Sequence, residues 1–248
     1  MNTSPRIALV TGATRGIGLE TARQLAEAGV HVLLAGRDPA RAAAAAATLA
    51  ADGLSVSPIA LDVTDSASIA AAADKVRAGY GRLDILINNA GIVVDDPARK
   101  PSGQALSAWR ETFDTNVFGL VETTNAFLPL LHASPSGRIV NVSSILGSIS
   151  LQLNPGFFAY DYKLPAYNVS KAAVNAWTTQ LAYELKDSRI KVNTIHPGYV
   201  RTDMNKIGGE QHGELEVADG ARTSVRLALI DDDGPNGGFF YKDEVLPW

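Results

Sequence analysis

A short apolar segment of the chain runs directly into a glycine-rich turn, and residues 7–18 are IALVTGATRGIG. A continuous apolar run is typical of a strand that is buried on both faces of a parallel sheet. Glycines allow a tight turn and a close approach of the backbone to a ligand, and a following helix offers its free N–H groups to a pyrophosphate. The stretch therefore predicts strand, turn and helix around a bound nucleotide, with a purely structural turn as the alternative.

The same alternation continues along most of the chain. Seven short apolar runs are predicted strands: Ile7–Val10, Val30–Ala35, Ser55–Ala60, Leu83–Ile87, Arg138–Val142, Lys191–Ile195 and Gly238–Tyr241. Six longer segments are predicted helices: Gly16–Ala28, Pro39–Ala51, Ser66–Ala78, Leu106–Leu131, Pro165–Lys186 and Glu216–Leu229. This order favours right-handed crossovers in a doubly wound, parallel α/β sheet with helices on both faces. Because no linker divides residues 1–248, we expect one Rossmann-type domain of about seven strands.

Composition narrows the function classes. The chain has 248 residues with 22 Lys+Arg and 26 Asp+Glu, and its net charge of −4 argues against a nucleic-acid partner. Cysteine is absent, which excludes disulfides, zinc–thiolate sites and a cysteine nucleophile. The four histidines lack metal-ligand spacing, so we expect no metal site. The sequence contains no targeting or membrane-spanning run, and we expect a cytoplasmic protein with no membrane partner.

Several motifs lie at the predicted strand ends and helix starts. They are Asn88-Asn89-Ala90-Gly91, Asn116, Asn141-Val142-Ser143-Ser144, Tyr167-Asn168-Val169-Ser170-Lys171, Pro197-Gly198 and Thr202. The glycines of the first turn, Gly12, Gly16 and Gly18, have the spacing G-x-x-x-G-x-G. With these motifs the chain resembles the short-chain dehydrogenase/reductase family from about Arg6 to its end. The ending from Gly234 to Trp248 resembles the carbonyl-reductase branch.

Four residues are the predicted catalytic set: Asn116, Ser144, Tyr167 and Lys171. Tyr167 and Lys171 are one helical turn apart, and a neighbouring ammonium favours phenolate, so we expect the pKa of Tyr167 to be lowered. Ser144 is expected to donate to the carbonyl oxygen of a substrate, where negative charge grows. It is preferred to Ser143 because the reactive serine of the family is the second of such a pair. The resemblance implies that Asn116 holds a water linking Lys171 to solvent.

Each member of this set has a simpler interpretation when taken alone. A Tyr–Lys pair at this spacing is usually a surface contact on a helix, and a buried asparagine near a helix kink is usually structural. The functional assignment depends on the whole constellation.

The end of the second strand bears on the choice of cofactor. An acidic residue there would bind the ribose 2′-OH of NAD, whereas arginine accommodates a 2′-phosphate. Arg37 lies near that position and Arg15 adds a second cation, so we expect NADPH (NADP); an ordinary solvated charge is the alternative for Arg37. Asp38 is interpreted as the N-cap of the next helix. The predicted cofactor contacts are Gly12, Thr14, Arg15, Gly16, Ile17, Gly18, Arg37, Asp62, Val63, Asn89, Ala90, Gly91, Tyr167, Lys171, Pro197, Gly198, Val200 and Thr202.

The predicted function is NADPH-dependent reduction of a small aldehyde or ketone to an alcohol, with Tyr167 as proton donor. The pocket should be mostly apolar, because Ile145, Leu146, Ile149, Leu151, Phe157 and Phe158 lie between Ser144 and Tyr167. The alternatives are a dehydrogenase that oxidises a secondary alcohol with NAD(P)⁺ and a protein that senses NADPH without turnover.

The segment Leu151–Leu164 bears on assembly. The resemblance implies that family members often pair through the two long helices, 106–131 and 165–186, and that longer insertions here pack over those helices. Covering them would remove the self-complementary patch that a two-fold interface needs. We therefore predict a monomer, with Val245–Trp248 folded back on its own chain and a dimer or tetramer as the alternative.

Overall fold

The computed structural model describes residues 5–248, and it contains one large sheet with helices on both faces. The strands are β1 (Ile7–Val10), β2 (His31–Gly36), β3 (Val56–Ala60), β4 (Ile85–Asn88), β5 (Arg138–Val142), β6 (Lys191–Ile195), β7 (Lys206–Ile207), β8 (Glu210–Gln211), β9 (Phe239–Tyr241) and β10 (Glu244–Val245). The large sheet has eight strands in the order β3-β2-β1-β4-β5-β6-β9-β10. All neighbours pair in parallel except β9 and β10. The predicted doubly wound α/β fold is confirmed.

Two features of the strands differ from the prediction. β10 is an additional eighth strand, and it pairs antiparallel to β9 through only two residues. The polar segment after β6 contains the separate hairpin β7–β8. Both are too short to produce a hydrophobic pattern that could be recognised in the sequence.

Within residues 5–248, eight α-helices lie between the strands. They are α1 (Gly16–Glu27), α2 (Pro39–Ala51), α3 (Ser66–Tyr80), α4 (Leu106–Phe113), α5 (Gly119–His132), α6 (Ile149–Gln152), α7 (Pro165–Glu184) and α8 (Val217–Ala228). One core cluster joins the sheet to α3, α5 and α7 through Ile69, Phe127 and Leu181, and the other joins it to α1, α2 and α8. Along β1, Leu9 belongs to the first cluster while Ala8 and Val10 belong to the second, because successive side chains point to opposite faces.

The single helix predicted over 106–131 is wrong in one respect. A π-helical segment, Asp114–Phe118, separates α4 from α5. π-helical segments insert an extra residue into a helix and often occur at functional sites. Asn116 lies in the middle of this segment, so its side chain takes a position that a regular helix would not provide.

The sheet also determines where the ligand-binding edge lies. β1 has β2 on one side and β4 on the other, so the strand order reverses direction there. In open parallel sheets, ligands bind at such a point, outside the carboxyl ends of the strands. The segments after β1, β4, β5 and β6 meet at this edge, and they carry most of the predicted site.

The segment before α7 forms α6 and a series of turns. Phe157 and Leu164 are buried, whereas Phe158 is 81% exposed. The C-terminal tail folds back as predicted: the Trp248 ring stacks on Phe239, and its carbonyl oxygen accepts hydrogen bonds from Ser150.

The long helices remain partly open. Exposed apolar side chains on α4, α7 and the π-helical segment are Leu106, Phe118, Val169 and Tyr183. The segment before α7 therefore leaves these side chains exposed, and the monomer stays a prediction. Among residues 5–248, no helix is both long and apolar enough to cross a membrane.

Candidate active site

The glycine turn after β1 lets a ligand approach the backbone N–H groups at the start of α1 closely. Gly12 and Gly16 have φ of 62° and 57°, a region that favours glycine. A Cβ at Gly12 would lie 3.0 Å from Cα of Ala90, and one at Gly18 would lie 2.6 Å from the carbonyl oxygen of Gly12. No side chain among the described residues caps the start of α1, at Arg15. The first N–H groups of this helix, including that of Ile17, are thus available to an anion.

The segment after β4 is tied to this turn. Thr11 Oγ1 accepts hydrogen bonds from the N–H groups of Asn89 and Ala90, both at 3.0 Å. The Asn89 amide donates in return to the carbonyl oxygens of Thr11 and Gly12, at 2.9 and 3.2 Å. The predicted contacts Gly12, Asn89 and Ala90 therefore form one rigid unit.

Arg37 follows β2 and is exposed. Thr14 packs against Gly36, so the end of β2 lies beside the glycine turn. The carboxylate of Asp38 accepts from the N–H groups of Ala40 and Arg41 at 2.9 and 3.2 Å, which confirms it as the N-cap of α2. Arg37 thus places a positive charge at the end of β2. The carboxylate of the neighbouring Asp38 binds the N–H groups of α2 instead of facing a ligand.

Arg15 forms an ion pair with Asp203, at 2.8 Å, and its side chain is 71% exposed. This contact joins the glycine turn to the segment after β6. Such an exposed pair contributes little stability and can exchange for another anion.

The remaining predicted cofactor contacts surround the same edge. Val63 is buried, and Asp62 Oδ1 accepts from the N–H and hydroxyl groups of Thr64, which folds the carboxylate into its own turn. Gly198, after Pro197, has φ of 92°. Val200 is buried, and the Thr202 methyl group lies 3.7 Å from the Cβ position of Gly16.

Tyr167 and Lys171 lie in the first two turns of α7, and both are buried, with exposed fractions of 8% and 4%. Lys171 Nζ donates to the carbonyl oxygen of Val142 at 2.8 Å and lies 5.6 Å from the centre of the Tyr167 ring. Gly91 lies beside them: a Cβ there would be 3.5 Å from Lys171 Nζ and 3.4 Å from Asn116 Oδ1. The tertiary structure thus brings three predicted catalytic residues and the segment after β4 together.

The expected lowering of the pKa of Tyr167 is wrong for this structure. Burial raises the pKa of Tyr167 to about 12, with the Ser144 side chain acting in the opposite direction. Burial also lowers the pKa of Lys171 to about 8. Desolvation is the largest cause of both shifts, because removal from water penalises the charged form of each group, and Tyr162 raises the pKa of Tyr167 further.

The two neighbouring serines have different roles. Ser143 Oγ donates to the backbone carbonyl of Lys171 at 3.2 Å, so it ties β5 to α7. Ser144 Oγ accepts from the N–H of Leu146 at 3.2 Å, and its side chain hydrogen-bonds to Tyr167. The preference for Ser144 as the residue that faces the reacting group agrees with this geometry.

Asn116 uses its whole side chain. Its Oδ1 accepts from the N–H of Ile92 at 2.8 Å, and its Nδ2 donates to the carbonyl oxygen of Ile92 and to Ser170 Oγ, both at 3.0 Å. Asn116 therefore holds the segment after β4 against α7, next to the Lys171 ammonium.

Comparison with known proteins agrees with this arrangement. The family model for short chain dehydrogenase matches residues 6–212. The chain belongs to the short-chain dehydrogenase family. A (+)-neomenthol dehydrogenase from Arabidopsis thaliana is 36% identical, over 98% of each chain. Carbonyl reductase (NADPH) 1 from Bos taurus is 35% identical, over 100% of each chain.

Solved structures place this short-chain dehydrogenase in the same branch. The NADPH-bound carbonyl reductase from chicken fatty liver superposes with a TM-score of 0.84 and 30% identity, covering 99% of this chain and 100% of that one. The expected carbonyl-reductase-like branch is confirmed. The protein is an oxidoreductase that acts on carbonyl or alcohol groups.

Sequence reasoning missed two residues of this short-chain dehydrogenase. Thr11 links β1 to the segment after β4, and Asp95 accepts hydrogen bonds from the N-terminus of α7. An acidic residue in a loop is ordinary in sequence, so only the tertiary contact identifies Asp95. For Thr11, its position directly before Gly12 was an available signal.

Proposed function

We propose that this protein reduces the carbonyl group of an aldehyde or ketone with NADPH, and that Tyr167 donates the proton. The observation that carries the proposal is the state of Tyr167. Its phenol is buried beside Ser144 and Lys171, and burial raises its pKa to about 12, so at neutral pH it holds a proton. A protonated phenol is the form that a reduction requires, because the alkoxide produced must be neutralised.

The residues at the carboxyl edge fit a dinucleotide. The start of α1, which no side chain of residues 5–248 caps, and the positive φ angles of Gly12 and Gly16, which form the turn in front of it, suit a pyrophosphate. Arg37 and Arg15 suit a 2′-phosphate, and this supports NADPH over NADH. When bound, this cofactor supplies the hydride. The bovine and chicken relatives carry NADPH in their names, which supports the same assignment.

Ser144, Tyr167 and Lys171 each have a separate role in the transfer of the proton. Ser144 Oγ donates to the carbonyl oxygen and stabilises the negative charge that develops there. Tyr167 then transfers its proton to that oxygen. Lys171 is held by Val142 at 2.8 Å, and its ammonium stabilises the phenolate left behind until the proton is replaced.

The apolar residues between Ser144 and Tyr167 support a substrate with an apolar carbon skeleton. Of the residues expected in the pocket, Ile149 and Phe158 are exposed, Ile145, Leu146 and Leu151 are half-buried, and Phe157 is buried among its neighbours. Small-molecule pockets are lined mostly by apolar side chains with a few polar groups, and this composition agrees with such a pocket. The names of the neomenthol dehydrogenase and carbonyl reductase relatives are consistent with such substrates.

Oxidation of a secondary alcohol is the second candidate, because the same residues operate in both directions. Burial of Tyr167 raises its pKa, so oxidation, which needs the phenolate, is expected to require a higher pH than reduction. An NADPH sensor without turnover would not need Ser144, Tyr167 and Lys171 in one buried cluster.

The test is an assay of NADPH oxidation with aldehydes, cyclic ketones, diketones and quinones, repeated with NADH. We expect turnover with at least one apolar ketone and a higher kcat/KM with NADPH. Tight NADPH binding without oxidation by any of these carbonyl compounds would contradict the proposal and favour the sensor.

A further inference from the structure

Asp95 makes a contact that joins two parts of the active site. Its carboxylate accepts hydrogen bonds from the backbone N–H groups of Ala166, at 2.8 Å, and Tyr167, at 3.0 Å. The residue is only 9% exposed. One of its two partners is thus the backbone of the proposed proton donor itself.

These N–H groups have few other partners available. α7 begins at Pro165, which has no N–H, and Leu164 at the N-cap has no side chain that can accept a hydrogen bond. The first N–H groups of any helix have no acceptor inside the helix. Asp95 supplies that acceptor from a loop that lies 71 residues earlier in the chain than Ala166.

The charge of Asp95 is balanced by the helix. Among residues 5–248, no cationic side chain forms an ion pair with this carboxylate. A buried, unpaired carboxylate is costly unless hydrogen bonds and a positive potential stabilise it. The N-terminus of the 20-residue α7 provides both.

The other end of the loop that carries Asp95 is bound to the glycine turn after β1. It leaves β4 through Asn89, which is bonded to the glycine turn, and passes Ile92, whose N–H and carbonyl groups both bind Asn116. Asp95 comes three residues later and reaches Tyr167. The loop from Asn89 to Asp95 is therefore hydrogen-bonded to the glycine turn at one end and to the first turn of α7 at the other.

We propose that Asp95 is a positioning residue for Tyr167. By binding the backbone of Tyr167, it fixes the position of the phenol relative to Ser144 and to the glycine turn. This inference rests on the proposed function. Asp95 touches neither substrate nor cofactor in this assignment. Its effect reaches the reaction through the backbone of Tyr167, and small displacements of a reacting group have large kinetic effects.

The kinetic test uses Asp95→Asn, which keeps the size of the side chain but can accept only through one oxygen. We expect kcat to fall by about 10–100-fold while the Kd for NADPH changes by less than about twofold. A primary isotope effect with deuterated NADPH should grow, because a misplaced proton donor makes the chemical step limiting. Rates are divided by the concentration of NADPH-binding sites, so protein that fails to fold does not lower the kcat.

A matched control distinguishes positioning from general loosening. Asp65 caps α3 in a similar way, by accepting from the N–H of Ala67 at 3.0 Å. Asp65→Asn makes the same substitution at the N-terminus of another helix, at an exposed position, and should keep the wild-type kcat. An equal loss of kcat in both variants, or wild-type kcat in Asp95→Asn, would overturn the proposal.

A measurement without turnover separates this inference from the proposed function. The Tyr167 amide should exchange its hydrogen at least about tenfold faster in Asp95→Ala than in the wild type, because a charged hydrogen bond is lost. If the wild type reduces no carbonyl compound, the proposed function fails while faster exchange still supports the anchoring role. Unchanged exchange at Tyr167 would refute that role whatever the activity.

Discussion

The ammonium of Lys171 lies 5.6 Å from the centre of the Tyr167 ring, and both side chains are almost completely buried. The hydrogen bond from Lys171 to the Val142 carbonyl, at 2.8 Å, holds the ammonium at the end of β5. Desolvation therefore acts on both groups together and keeps the phenol protonated. Tyr167 therefore keeps its proton to a higher pH than an exposed tyrosine would.

Replacement of Tyr167 by Phe should abolish turnover and preserve cofactor binding. The ring still packs, but the proton donor is lost, and general acid catalysis typically contributes ~10²–10⁴-fold to a rate. NADPH oxidation and NADPH titration measure the two effects. Tyr183→Phe is the control, because Tyr183 lies on the same helix and is 73% exposed. Wild-type kcat in Tyr167→Phe would contradict the assignment.

Arg37→Asp should shift the preference from NADPH toward NADH. The variant removes a cation and introduces a carboxylate that repels a 2′-phosphate, and a charged hydrogen bond corresponds to a change of at least about tenfold in the ratio of kcat/KM values. Arg15 retains part of the selectivity if it exchanges Asp203 for the phosphate. Arg77→Asp, on the exposed side of α3, is the control. An unchanged ratio would show that Arg37 does not contact the cofactor.

His196 should make the protein less stable in acid. Burial lowers the pKa of His196 to about 4 from an ordinary 6.5. Between these values the unfolded chain binds the proton and the folded chain does not, so stability falls as the pH drops from about 6.5 to about 4, by up to about 3 kcal/mol. The ring packs on Tyr241 at 5.1 Å, so His196→Phe retains the contact without titrating.

Denaturant unfolding at several pH values tests this. The slope of stability against pH should be flatter in His196→Phe than in the wild type. His132→Gln, at an exposed position, should keep the wild-type slope. Equal slopes in wild type and His196→Phe would mean that another group dominates acid unfolding.

Trp248→Ala should destabilise the C-terminal tail. The Trp248 ring stacks on the buried Phe239 with centres 5.7 Å apart, and it is itself 38% exposed. Partial burial and an aromatic pair correspond to a loss of about 1–2 kcal/mol. Because Ser150 binds the Trp248 carbonyl, the loosened tail should also raise KM for bulky ketones. Val245→Ala, at a position 71% exposed, is the control for both measurements.

The order of strands and helices could be predicted because it depends on local pattern. Buried parallel strands are continuous apolar runs, so β1, β5 and β6 were found with their exact bounds. The π-helical segment could not be predicted, because its extra residue is stabilised by the contacts of Asn116 with Ile92 and Ser170. Ile92 and Ser170 are distant from this helix in sequence, so their contacts leave no trace in its hydrophobic pattern.

By itself the sequence determined which side chains are present at the carboxyl edge of the sheet, since their positions follow from strand ends and glycine spacing. Tertiary structure alone decided their electrostatic state and alignment. The pKa of Tyr167 rises mainly because the fold removes water around the phenol, and the sequence pattern of Tyr167 and Lys171 does not reveal that burial. Asp95 reaches the backbone of Tyr167 from 72 residues away, and that proximity exists only after the sheet has formed.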